Sequence, residues 1–115
     1  MYDITINEEG VKQMTKTITL DAIQDAINTG TDAQILDVRE LDEFVAGHIP
    51  SATNLPLSEI EEKSVALAKD IEYIIICKKG GRAMRAGEYL EDNGFNVTVA
   101  EQGMDDWTGE VKIED

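Results

Sequence analysis

Short apolar segments alternate with segments of helical periodicity along most of this chain, and this alternation restricts the possible fold more than any other feature. The segments predicted as strands are 35–38, 52–55, 71–76 and 97–99, and those predicted as helices are 20–29, 40–44, 58–69 and 82–92. Buried parallel strands read as nearly continuous apolar runs, and helical connections between them cover the sheet. The order of elements therefore predicts an α/β domain with a parallel sheet and helices on both faces.

Two of the predicted helices carry start signals. Thr19 fits the N-cap position of a helix whose apolar residues recur at helical spacing as far as Ile27. Ser58 and Glu61 match the capping-box pattern, in which a hydroxyl and a carboxylate satisfy backbone donors at a helix start. We therefore expect this second helix to run from there without interruption to about residue 69.

The length of 115 residues is that of one domain, with no apolar run near the ~20 residues of a membrane span. Residues 1–15 show no sustained periodicity and predict a loosely held lead-in, so that residues 16–115 form the domain. The first residues lack the basic start and apolar stretch of a secretion signal. We accordingly expect a cytoplasmic protein.

The charge of the chain is strongly acidic, with a formal net value of −14. This opposes binding to nucleic acid and to anionic membranes, because both need a basic surface. Four of the ten basic residues nevertheless fall in one nine-residue window that begins at Cys77, namely Lys78, Lys79, Arg82 and Arg85. Such a local concentration predicts attraction of a small anion, and a merely solvated basic loop is the alternative.

Cys77 is the only cysteine, which excludes an internal disulfide, a Cys-x-x-Cys pair and a zinc site built on several thiolates. It follows the apolar run 73–76 and precedes a turn, Gly80-Gly81, that opens a predicted helix. Nearby cations, backbone N–H groups and the positive end of a helix dipole all stabilise a thiolate. The pattern favours a nucleophile over an inert core cysteine.

Several segments, in this order, resemble the signatures of rhodanese domains over about residues 16–108. They are Ile35-Leu36-Asp37-Val38-Arg39, Glu43-Phe44, Gly47-His48-Ile49-Pro50, Asn54-Leu55-Pro56, the loop from Cys77 to Arg82, and a closing segment from Gly94-Phe95 to Gly103-Met104 and Trp107. The resemblance implies a compact domain around a five-stranded parallel sheet. It also implies a sulfurtransferase whose loop cysteine carries a persulfide, without a metal or an organic cofactor.

Carried over to this chain, the resemblance makes Cys77 the nucleophile, with the loop's backbone N–H groups cradling the transferred sulfur. The loop residues expected to bind substrate are Lys78, Lys79, Gly80, Gly81 and Arg82. The two lysines would attract an anionic donor such as thiosulfate. Arg82 is open between substrate contact and a structural fork on a carboxylate such as Glu43. Asp37 and Arg39 are expected to be scaffold beneath the loop.

Two further residues have structural roles in this interpretation. His48 is expected to be a turn residue bonded to backbone rather than the partner of a catalytic Cys–His pair. Trp107 is expected to anchor the last helical turn by packing.

The leading hypothesis is a sulfurtransferase of the thiosulfate type, which moves sulfur by double displacement from a small donor to a thiol or cyanide. The alternative is a binding or sulfur-carrier module that docks with a partner protein and acts poorly on small donors. A phosphatase is disfavoured because four residues separate Cys77 from Arg82, whereas the loop of tyrosine phosphatases has five. The physiological donor, the acceptor and the oligomeric state stay open.

Overall fold

The computed structural model describes residues 2–6 and 12–114, with side chains from Thr15 onward. The strands are β1 Tyr2–Ile6, β2 Lys12–Ile18, β3 Gln34–Asp37, β4 Thr53–Asn54, β5 Glu72–Ile76 and β6 Asn96–Ala100. The helices are α1 Leu20–Thr29, α2 Leu41–Ala46, α3 Ile60–Lys63 and α4 Gly81–Asp92, and short 3-10 turns lie at Leu57–Glu59, Ser64–Ala66 and Met104–Asp106. Within these residues, no helix has the length and apolar character needed to cross a membrane.

The described strands form one sheet in the order β1-β2-β6-β5-β3-β4. Five neighbouring strands of this sheet, β2, β6, β5, β3 and β4, run parallel to one another. Strand β1 pairs antiparallel with β2 at the edge of the sheet. The predicted five-stranded parallel sheet is therefore confirmed, with one additional edge strand.

Strand β1 lies wholly, and β2 partly, in the segment 1–15, for which the sequence predicted no strand. Residues 1 and 7–11 of that segment lie outside the described residues. Strand β2 was not predicted because its composition is polar and gives no apolar pattern. Its Thr15 is nevertheless buried, and the Thr15 hydroxyl donates a hydrogen bond to the distant Glu91 Oε1 at 3.0 Å. The division of the chain at residue 15 stays a prediction.

Helices cover both faces of the sheet. On β5, Tyr73 and Ile75 pack in one buried cluster with residues of α3 and α4. Ile74 and Ile76 pack in a second cluster with residues of α1. Because successive side chains of a strand point to opposite faces, burial on both sides explains why β5 is apolar from Tyr73 to Ile76. The central strand thus delivers Cys77, the next residue, to the carboxyl edge of the sheet.

The predicted uninterrupted helix over 58–69 is wrong. The segment consists of a 3-10 turn, the four-residue helix α3 and a second 3-10 turn. Ser58 does not cap a helix, because its Oγ donates to Glu40 Oε1 at 2.7 Å. The capping box lies instead at the start of α2, between Glu40 and Glu43. Val65 is 84% exposed, so this apolar residue does not contribute to a buried helix face. The apolar face of the segment is therefore too narrow to pack a longer helix against the core.

The signals of helix α1 are confirmed. Thr19 is the N-cap, and its hydroxyl accepts a hydrogen bond from the backbone N–H of Ala22 at 3.1 Å. Gly30 ends the helix in the left-handed conformation that glycine adopts without steric cost.

Candidate active site

Cys77 is the first residue of the loop that joins β5 to α4. The residue is buried, with only 1% of its surface exposed. Its Sγ accepts a hydrogen bond from the backbone N–H of Gly80 at 2.9 Å. Gly80 has φ +123°, a conformation that L side chains rarely adopt, and it is the N-cap residue of α4. The sulfur thus lies at the end of a parallel strand, bonded to a backbone donor just before a helix.

The closing segment after β6 is hydrogen-bonded to this loop. Met104 N donates to the carbonyl oxygen of Cys77 at 2.7 Å, and Asp105 N donates to that of Lys78 at 3.0 Å. A Cβ on Gly103 would lie 2.2 Å from the carbonyl carbon and oxygen of Lys78. The close approach of the two backbones therefore requires glycine at 103, a requirement that sequence reasoning missed.

A cleft of about 400 Å³ opens beside the sulfur. Its lining residues are Cys77, Lys78, Lys79, Gly81, Arg82 and Arg85. The four basic residues that the sequence grouped around the thiol therefore lie around one cavity. Arg85 was counted in that group but was not predicted as a site residue.

Arg82 is engaged by a carboxylate. Its Nη1 and Nη2 donate to Glu43 Oε1 and Oε2 at 2.6 and 3.0 Å, which ties α4 to α2. The hydrogen bond from Arg82, aided by one from the backbone of Glu40, lowers the pKa of Glu43 from 4.5 to about 2 against the opposing effect of burial. Of the two possibilities left open for Arg82, the geometry is that of the fork on Glu43.

The remaining three cations differ in their partners. Lys78 Nζ lies 3.0 Å from Asp105 Oδ1, a pair that the sequence did not reveal. Lys79 and Arg85 are exposed and make no hydrogen bond or ion pair with the part of the chain that the structure describes. Two of the four charges in the cleft are thus already paired, and the other two have no such partner among the described residues.

Asp37 and Arg39 form a buried ion pair at the end of β3, with Arg39 Nη2 2.7 Å from Asp37 Oδ2. The same Nη2 donates to the carbonyl oxygen of Gly47 at 2.7 Å. Asn54 Nδ2 donates to the carbonyl oxygens of Asp37 and Arg39, at 3.0 and 2.9 Å. The pair is therefore bonded to the turn after α2 and to β4. Asn54 belongs to one of the segments that carry the resemblance, but the sequence analysis assigned it no role.

His48 is buried and stacked on Phe44, with 3.8 Å between the ring centroids. Its Nδ1 lies 2.8 Å from the carbonyl oxygen of Phe44, and its Nε2 lies 3.5 Å from Glu114 Oε1. Both ring nitrogens therefore face partners other than Cys77.

Trp107 packs against the cluster on the α1 face, and its Nε1 donates to the carbonyl oxygen of Glu110 at 3.1 Å.

Metal ligation has no candidate among the described residues, where no group of three or more His, Cys, Asp or Glu side chains could hold an ion. Fold and site together define an α/β protein with a cysteine loop at the carboxyl edge of a parallel sheet.

Comparison with known proteins identifies the family of this chain. The family model for the rhodanese-like domain matches residues 19–110, and the chain belongs to that family. The resemblance noted in the sequence is thereby confirmed.

Individual relatives agree with the assignment. The chain is 38% identical over 97 residues to "Putative sulfurtransferase YtwF" of Bacillus subtilis, covering 84% of this chain and 94% of that protein. It is 34% identical over 96 residues to "Putative sulfur carrier protein YrkF" of the same organism, covering 83% of this chain but 52% of that protein. A crystal structure of a rhodanese-like domain protein from Staphylococcus aureus superposes with a TM-score of 0.81 at 33% identity, covering 88% of this chain and all of that one.

Proposed function

We propose that this chain is a sulfurtransferase that carries a sulfane sulfur on Cys77, from an anionic donor of the thiosulfate type to a thiol or cyanide. The observation that carries the proposal is the thiol of Cys77 in a basic cleft, with the Gly80 N–H donating to its sulfur. The thiolate is the nucleophilic form of cysteine, and its negative charge would lie next to this donor and these cations.

The reaction proceeds in two displacements. The Cys77 thiolate attacks the outer sulfur of thiosulfate, a new S–S bond forms, and the donor's own S–S bond breaks so that sulfite leaves with the electron pair. A thiolate or cyanide then attacks the outer sulfur of the persulfide, and Cys77 leaves as a thiolate. Neither step requires an oxidant, a metal or an organic cofactor, and the sequence should show ping-pong kinetics.

The surrounding residues position this chemistry. Gly80 supplies a backbone donor to the reacting sulfur, and Gly81 and the lysines line the cavity where the donor would lie. Arg82 fixes the loop through Glu43. Asp37 and Arg39 act as scaffold, because they bind each other and neighbouring backbone.

A sulfur-carrier module is the second candidate. It is favoured by the likeness to "Putative sulfur carrier protein YrkF". Such a module would accept sulfur from a protein donor and turn over thiosulfate poorly. The rate with thiosulfate separates the two candidates. A cytoplasmic location also stays a prediction from the sequence.

Intact mass spectrometry tests the persulfide directly. Treatment with thiosulfate should add one sulfur atom, about 32 Da, and a thiol should remove it. In Cys77→Ser the gain should be absent and transfer should fall to below a few per cent of wild type, with the thermal unfolding temperature little changed. A gain of sulfur in Cys77→Ser, or no gain in the wild type with any donor, would contradict the proposal.

A further inference from the structure

The charges around the cleft are not equivalent. Lys78 is paired with Asp105 and Arg82 with Glu43, so each of these cations already faces a carboxylate within 3.0 Å. An ion pair presents little net charge to a ligand, and binding an anion there would require the pair to separate. Lys79 and Arg85 line the same cavity without such partners among the described residues.

Their positions suit joint action on one small ligand. Lys79 lies in the loop, and Arg85 lies on α4 one turn beyond Arg82. Both residues line the cavity of about 400 Å³ that Cys77 also lines. Arginine presents a planar fork that matches an oxyanion, whereas lysine supplies a compact mobile charge.

We propose that Lys79 and Arg85 form the anion-recognition pair of this cleft and select anionic over neutral reagents for Cys77, whereas Lys78 and Arg82 hold the loop. The identification of a thiosulfate-like donor as the natural anion rests on the proposed function. The selection of anionic over neutral reagents does not depend on that function.

The first experiment therefore uses alkylation of native Cys77 rather than sulfur transfer. Iodoacetate and iodoacetamide have the same leaving group but differ in charge, so the ratio of their rate constants measures attraction of an anion. In Lys79→Gln/Arg85→Gln this ratio should fall about 3- to 10-fold, as expected for the loss of two exposed attractive charges. The wild-type ratio should fall with added salt, and the variant's ratio should barely change.

One control variant isolates the effect. Lys63→Gln/Lys112→Gln removes the same net charge from residues outside the cleft, where each lysine pairs with a glutamate. This variant should keep the ratio within about twofold of wild type, because it removes no cation that lines the cleft.

The second experiment measures thiosulfate kinetics in the same variants. Loss of Lys79 and Arg85 should raise KM about 3- to 10-fold and change kcat little, because these charges bind ground and transition states alike. An unchanged alkylation ratio in Lys79→Gln/Arg85→Gln, or an equal fall in Lys63→Gln/Lys112→Gln, would overturn the proposal even if the protein transfers sulfur. A specific fall in the ratio without any thiosulfate turnover would support the anion pair and reject the proposed enzymatic function.

Discussion

Glu43 determines what Arg82 can do at this site. Both terminal nitrogens of Arg82 donate to the Glu43 carboxylate, which also accepts from the backbone N–H of Glu40. A guanidinium held at two points has little freedom to follow a substrate through the reaction. At the scale of single residues, the arginine of the loop therefore joins two helices.

Replacing Glu43 should produce a pH-dependent loss of stability. The hydrogen bonds from Arg82 and from the Glu40 backbone hold the pKa of Glu43 at about 2, below its value of 4.5 in an unfolded chain. A lowered pKa stabilises the fold fully above the unfolded value, and the contribution disappears as pH falls from about 4.5 through about 2. Glu43→Gln should therefore lower the free energy of unfolding by about 2 kcal/mol at pH 7, after allowance for partial exposure, and by less than half of that at pH 3.

Urea unfolding of wild type and variant at both pH values measures this difference. Glu61→Gln is the matched control, since Glu61 is exposed and makes no hydrogen bond or ion pair with the described residues. Its effect should stay within about 0.5 kcal/mol at either pH. Equal losses for Glu43→Gln at pH 7 and pH 3 would show that its carboxylate charge is not the stabilising feature.

Helix α4 approaches the sheet closely because its inner face is built from small residues. Ala83 and Ala86 are fully buried, and a Cβ on Gly87 would lie 2.4 Å from Val99 Cγ2 on β6. This packing fixes the start of α4, and with it Gly80 and Gly81, relative to the strand that carries Cys77. At the scale of elements, the position of the site depends on the distance between one helix and the sheet.

Gly87→Ala tests this dependence. Alanine favours a helix interior by about 1 kcal/mol over glycine, but the added methyl group collides with a buried valine and should cost more than that. We expect a net loss of about 1–2 kcal/mol in the free energy of unfolding. Thermal and urea unfolding provide the measurement.

A double-mutant cycle with Val99→Ala identifies the cause. Val99→Ala alone should destabilise by about 2 kcal/mol, since it leaves a cavity. In that background Gly87→Ala should become neutral or stabilising, with a coupling energy of at least 1 kcal/mol between the two sites. Additivity of the two changes within about 0.5 kcal/mol would show that the collision does not determine the helix position.

The distribution of charge is a property of the whole molecule. The chain carries a formal net charge of −14, while four of its ten basic residues line one cleft. The remaining surface is therefore strongly acidic and repels itself in the folded state.

Salt should consequently stabilise the fold. Raising NaCl from about 10 to about 200 mM shortens the Debye length from about 30 to about 7 Å and screens the repulsion. We expect the thermal midpoint Tm to rise by roughly 2–5 °C, measured by circular dichroism. Equal concentrations of KCl should give the same rise, because screening does not depend on the identity of the cation. A fall in Tm would mean that the ion pairs outweigh the net repulsion.

Local periodicity determined much of this fold. Strands β3, β5 and β6 and helices α1 and α4 lie where apolar spacing and caps predicted them, because each buries a face large enough to leave its pattern in the sequence. Cys77 was likewise predicted at the end of a strand and before a helix, and the resemblance to rhodanese domains predicted the five parallel strands.

Tertiary structure decided the elements and contacts whose partners lie far away in the sequence. Strand β2 is polar and is held by pairing with β6 and by the contact of Thr15 with Glu91, while the short α3 lacks the apolar stripe that its capping pattern suggested. The cations of the cleft look alike in the sequence, but Asp105 lies 27 residues from Lys78 and Glu43 lies 39 residues from Arg82. Periodicity reports the burial of one element, whereas the pairing of charges depends on where separate segments meet. Only the folded chain therefore distinguishes the paired cations from Lys79 and Arg85.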